Sequence, residues 1–99
     1  MDIKINTVHF DADQKLIDFI ESKVSKLTQF YDNIIGAEVF LKVEKTQSPE
    51  NKIVEIKLQI PGNDLFAKKQ TDTFEESTDI AVNALRKQLT KWKEKLKGK

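Results

Sequence analysis

Alternation in two segments, 37–43 and 54–60, constrains this chain more than any other feature. Ala37, Val39, Leu41 and Val43 alternate with Glu38, Phe40, Lys42 and Glu44; Val54, Ile56, Leu58 and Ile60 alternate with Glu55, Lys57 and Gln59. Period two is the repeat of a strand, and one apolar phase means one buried face. A sheet of such strands has to be covered on that face by another part of the chain. Two helical stripes are available for the purpose. Leu16, Ile17, Phe19, Ile20, Val24, Leu27 and Tyr31 predict a first helix over about 13–30. Ala81, Leu85, Leu89, Trp92 and Leu96, at steps of four or three, predict a second.

Punctuation completes the order. Ile3 and Ile5 alternate with Lys4 and Asn6 as a short first strand, and Asp11 and Gln14 stand at capping-box spacing before the first helix. Gly36 punctuates ahead of the second strand, and 46–51, with Ser48-Pro49, is a polar loop. Pro61-Gly62 suits the central pair of a type II turn. A fourth strand is predicted over 65–71, with Leu65 and Ala67 on one face and Phe66 on the other; Thr73-Phe74-Glu75-Glu76 is a capping box. The order is therefore β-α-β-β-β-α. Strands one and two enclose a helix and should be parallel, with a right-handed crossover. Strands two to four should form an antiparallel meander. The expected fold is α+β, a two-layer sandwich: a four-stranded mixed sheet with both helices side by side on one face and a cleft between them. Ninety-nine residues suit one such domain, 1–99.

The charge is segregated. Residues 83–99 hold Arg86, Lys87, Lys91, Lys93, Lys95, Lys97 and Lys99 against Glu94, a net +6 in a chain of net +1, so 1–82 totals −5. At about 100° per residue, Arg86, Lys93 and Lys97 border one side of the apolar stripe, and Lys87, Lys91 and Lys95 the other. Cations can thus emerge along both borders of a docked helix, their stems on apolar surface. On the first helix Lys23 and Lys26 fall on one flank, Asp18 and Glu21 on the other, so Lys23 and Lys26 are expected to face the second helix's lysines across the cleft. A basic closing helix can be no more than a solvated face. A face serving solubility alone would mix signs, however, and this concentration points to a polyanionic partner.

Other chemistry finds little footing. With one histidine, His9, and no cysteine, neither a nucleophile triad nor zinc-ligand spacing can be assembled. Glycines at 36, 62 and 98 make no phosphate loop. We expect no enzyme, no cofactor, no metal and no small-molecule substrate. Met1-Asp2-Ile3-Lys4 does not open a signal peptide, and no apolar run approaches the roughly 20 residues of a membrane span. A cytoplasmic chain, mature as written, is expected. Trp92, at the edge of the stripe, reads as core packing rather than a base-stacking platform. Phe40 and Phe66, opposite the aliphatic phases, are either exposed on the open sheet face or shielded by loops.

With these elements in register, the chain resembles the short ribosome hibernation-promoting factor and ribosome-associated translation inhibitor family of bacteria, whose fold is double-stranded-RNA-binding-domain-like (dsRBD-like). The resemblance rests on Phe30-Tyr31-Asp32, Leu41-Lys42-Val43-Glu44-Lys45, Asp72-Thr73-Phe74 with Asp79, and Leu85-Arg86-Lys87-Gln88-Leu89-Thr90-Lys91. It implies a translation inhibitor of starvation or stationary phase. Such a factor binds the small (30S) subunit of the 70S ribosome in the messenger and transfer RNA channel, at the A and P sites, contacting 16S rRNA. Lys23, Lys26, Lys87, Lys91 and Lys93 are the rRNA-binding candidates carried over, and Arg86 and Lys95 join them on charge. Ala84 stands where the family often has lysine, and Arg86 where an acid or small residue is common. A short-form member, without the extra C-terminal domain of long-form members, is expected. A monomer off the ribosome is expected. An amphipathic anchor on anionic membrane and a protein-binding adaptor remain as alternatives from other classes.

Overall fold

The computed structural model describes residues 1–97; Lys99, counted above with the basic segment, lies outside the described residues. The elements are β1 (Asp2–Val8), α1 (Gln14–Ser25) running into a 3₁₀ turn (Lys26–Gln29), β2 (Gly36–Val43), β3 (Lys52–Ile60), β4 (Asn63–Thr71) and α2 (Phe74–Lys97). The sheet order is β1-β2-β3-β4, with β1 and β2 parallel and the other neighbours antiparallel. The predicted order and sheet are those observed.

Register explains the core. Ile5 pairs with Val39, Val39 with Ile56 and Ile56 with Ala67, one apolar row across all four strands. Ile20, Val24 and Leu27 from the first helical segment and Ala81, Leu85 and Leu89 from α2 are buried against that face. Fully burying an aliphatic side chain contributes about 1.5–3 kcal/mol, so these two stripes hold the layers together. Pro61-Gly62 turns β3 into β4 between the paired Ile60 and Asn63, with Gly62 at φ +81°, as a type II turn requires. Gly36 does something other than punctuate. It begins β2, and a Cβ there would lie 2.9 Å from the Asp2 carbonyl oxygen of the parallel neighbour.

Helix ends depart from the spacing rules. Asp13, not Asp11, caps α1: its Oδ1 accepts from the Leu16 N–H at 2.8 Å. Phe10 and Ala12 pack on the core, and Phe10 stacks on Phe74 with centroids 5.1 Å apart, so the chain stays out of helix until Gln14. The first helix does not continue as α to Phe30. It tightens at Lys26, where Ser25 and Thr28 hydroxyls donate to carbonyls three residues back, and Phe30 N–H donates to the Leu27 carbonyl. At α2, Thr73 Oγ1 accepts from Glu76 N–H at 3.0 Å, while Thr73 N–H turns to Thr71 Oγ1 and not to the Glu76 carboxylate. Leu96 is 60% exposed despite its place in the stripe. Twenty-four helical residues span about 36 Å, more than nine strand residues at about 30 Å, so the last turn of α2 outruns the sheet. Trp92 packs on the core as expected.

A polar tie fixes the start of α2. Buried Ser77 donates to the Lys52 carbonyl at 2.8 Å and lies 2.8 Å from Thr71 Oγ1, which donates to the Thr73 carbonyl. Thr78, next in the helix, buries a hydroxyl without a partner among the described residues. Adjacent substitutions should therefore shift stability in opposite directions. Ser77→Ala, stranding buried polar atoms, should lower the unfolding free energy by about 1–3 kcal/mol. Thr78→Val, close in shape, should raise it by about 1 kcal/mol. Urea unfolding midpoints with unchanged slopes are the measurement.

Candidate nucleic-acid interface

The candidate interface lies on α2, whose stripe and charges are separable by angle. Leu85 and Leu89 are fully buried, while Arg86, Lys87, Lys91, Lys93, Lys95 and Lys97 are all exposed. Gln88 Nε2 donates to the Phe66 carbonyl at 3.0 Å, holding this helix along the outer edge of β4. The rotation of the cations about the axis is thereby set. Glu75 and Glu76 in the first turn, with Lys95 and Lys97 in the last, also complement the helix dipole, so part of the segregation serves the helix itself.

Between α1 and α2 lies a cleft of about 500 Å³ floored by Leu27 and Val82. Lys23, Lys26 and Arg86 line it, as the flanking of α1 suggested, with Asp79 and Asn83. These cations are not equivalent. Lys23 Nζ lies 3.1 Å from Asp79 Oδ1 and 5.5 Å from the Phe19 ring centre, so its charge is largely answered within the protein. Lys26 is exposed and enters no ion pair among the described residues. Arg86 lies over the Phe30 ring at 5.6 Å. A guanidinium laid on an aromatic face is oriented, and its N–H edges remain available to a phosphate.

The lysines of α2 do not face this cleft as a group. Lys87 and Lys91 lie with Arg86, Thr90 and Glu94 along an outer, shallow groove. Lys93 borders separate depressions beside Phe30, one shared with Thr90, Glu94 and Lys97 and one with Thr28 and Asp32. Lys95 is exposed in the last turn and lines neither the cleft nor these grooves. Among the described residues Arg86 alone borders both the cleft and the outer groove, and so joins two cationic surfaces at its position on α2. The Lys23–Asp79 pair and the Arg86–Phe30 stack went unforeseen. Both partners of each pair were visible as residues, but they are 56 positions apart and meet only when the helices pack.

The other candidates have plain settings. His9 is an exposed residue just after β1 with φ +66°. Phe66 is 53% exposed and Phe40 half-buried, so the open sheet face shields them unequally. No helix among the described residues is long and apolar enough to cross a membrane.

Comparison with known proteins is consistent along nearly the whole chain. Residues 3–97 match the family described as sigma 54 modulation protein / S30EA ribosomal protein. The chain is 33% identical over 95 residues to the ribosome hibernation promoting factor of Pseudomonas putida, covering 96% of this chain and 89% of that one. It is 32% identical over 97 residues to the corresponding factor of Klebsiella oxytoca, covering 98% of each. In fold it is similar to a ribosomal subunit interface protein from Coxiella burnetii, with a TM-score of 0.85, 23% identity and coverage of 95% and 99%.

Asp79 partly neutralises the cleft, which makes it a handle on affinity. Asp79→Asn should release Lys23 at a stability cost within the roughly 0–1 kcal/mol of an exposed pair. It should add about one phosphate contact and delay elution from a heparin column to higher salt. Earlier or unchanged elution would show that Lys23 contributes nothing to anion binding.

Proposed function

The chain belongs to the sigma 54 modulation protein / S30EA ribosomal protein family, and from that premise we propose that it is a ribosome hibernation factor. It binds the ribosome, lays its basic helix on ribosomal RNA, and silences translation by occupying space that messenger and transfer RNA need. The site is the channel of the small subunit at the A and P sites, and the contacts are to 16S rRNA. Residues 1–99 act as one domain, monomeric off the ribosome and working in the cytoplasm. Inhibition of this kind asks for no bond to be made or broken, so neither a catalytic residue nor a cofactor is needed.

The observation that carries this reading is the exposed cationic surface of the C-terminal part of α2, where six of the side chains in 83–97 are Lys or Arg and Glu94 is the one acid. Such a surface releases counterions when it meets phosphates, and gives affinity that falls steeply with salt. It recognises RNA by shape, because phosphate contacts position without reading sequence. Lys26 and Arg86 extend the surface into the cleft. One observation favours a second reading: Leu96 stands exposed among lysines at the end of α2, as an anchor on anionic lipid would require. Flotation with and without anionic lipid separates the two, since a ribosome factor stays with the pellet.

Lys87 and Lys91 make the direct test, since both are exposed and outside the core. Lys87→Glu with Lys91→Glu should abolish co-sedimentation with small subunits while circular dichroism stays unchanged. For the unsubstituted chain, about five neutralised phosphates predict a log–log salt slope of roughly −3.5 to −4.5. Full binding by the double variant would remove α2 from the interface.

A further inference from the structure

A second concavity, of about 580 Å³, lies away from the basic helix and is lined by Val8, His9, Lys42, Val43, Glu44 and Lys45. Its place follows from topology. β1, β2 and β4 run the same way, so their C-terminal ends share the end of the sheet at which α2 begins. The cationic half of α2 points to the opposite end, where Arg86 lies over Phe30, ahead of β2. From the first turn of α2 to Lys95 the helix rises roughly 30 Å, so the two sites cannot serve the same few phosphates.

The composition of this concavity is unexpected where it lies. The nearby start of α2 is acidic, with Asp72, Glu75 and Glu76, yet Lys42 and Lys45 are exposed and enter no ion pair among the described residues. The acid in the lining is diverted. Glu44 Oε2 accepts from Gln70 Nε2 at 2.8 Å, and the same amide reaches the Glu50 carbonyl at 2.7 Å, drawing the carboxylate toward β4. The Glu44 N–H donates to the Asn51 carbonyl at 2.9 Å and closes the base of the loop. What remains, at the point where β1 ends, is Val8 on the open-face phase and Val43 on the core phase either side of the strand edge, with two ammonium groups unpaired among the described residues and one imidazole. Val43 is 39% exposed although its strand phase points to the core side.

Apolar surface beside two lysines that outnumber the one carboxylate in the lining is complementary to a ligand with a flat, weakly polar body and an anionic link on its edge. An unstacked nucleotide has that chemistry, and duplex RNA, with its bases stacked inside, does not. The volume lies within the roughly 300–1,000 Å³ of small-ligand sites. We propose that this concavity receives one splayed-out nucleotide of single-stranded RNA, its base inserted between Val8 and Val43 beside the His9 ring and its flanking phosphates on Lys42 and Lys45. This rests on reading the protein as an RNA-binding factor, and adds a second contact that discriminates single-stranded from helical RNA.

The test uses the full chain, labelled with ¹⁵N, and two probes: a uridine hexanucleotide and a twelve-base-pair RNA duplex. The hexanucleotide should shift the amides of Val8, His9 and 42–45, and the duplex those of α2. Lys42→Glu with Lys45→Glu should weaken the hexanucleotide about fivefold or more through the loss of its phosphate contacts, and leave duplex binding within about twofold. Val43→Ser, which keeps both charges at an exposed position, should weaken it also, and amide dispersion verifies that each variant is folded. Lys87→Glu with Lys91→Glu should do the reverse, losing the duplex and keeping the hexanucleotide. Because neither probe is a ribosome, failure of small-subunit binding leaves this result standing. Hexanucleotide shifts confined to α2 would overturn the proposal. So would equal shifts from inorganic phosphate, which would make this an ion site, or equal competition by polyglutamate, which would make it an acidic-peptide site.

Discussion

Everything in this structure hangs from the burial of one sheet face. The row Ile5, Val39, Ile56 and Ala67 crosses four strands, and a slip of one residue in any of them would turn aliphatic side chains to solvent. One buried face is a demand for two helices, since the sheet is too broad for one. α1 and α2 therefore lie side by side, and a cleft between them is a consequence of covering the sheet. The cleft and the cations along it are thus a by-product of the packing problem.

α2 satisfies two requirements that compete in most helices. Its stripe from Phe74 to Leu89 closes the core, and the rest of its circumference is left to charge. The rotation of that charge is held by specific bonds: the Ser77 hydroxyl to the Lys52 carbonyl at one end, and the Gln88 amide to the Phe66 carbonyl on the β4 edge. A rigidly mounted cationic surface loses little freedom on meeting a phosphate surface, which is how preorganisation contributes to affinity. The same Gln88 bond occupies an outward-facing carbonyl of β4, an edge strand that would otherwise offer itself to another chain.

Much of the fold was legible because its signals are local and periodic. The strand phases around Val39 and Ile56, the Pro61-Gly62 turn and the Thr73 cap each need only neighbours in the chain. Errors fell where a distant residue decides. Asp13 displaced Asp11 as cap because Phe10 is wanted against Phe74, 64 positions away. Gly36 looked like punctuation and proved to be a close approach to the Asp2 carbonyl. Lys23 looked like a free cation and is held by Asp79.

Sequence alone determined the alternation that demands a single covered face, the two stripes that cover it, and the gathering of cations on the closing helix. These are properties of composition and period, and no folding is required to read them. Tertiary structure decided which cations are available and where they stand. Lys23 is answered by Asp79, Arg86 is laid on Phe30, and Lys42 and Lys45 enter no ion pair among the described residues while the Glu44 carboxylate accepts from Gln70. The physical reason is that a side chain's charge acts through its distance from other charges, and for residues far apart in the chain that distance exists only after the layers have packed.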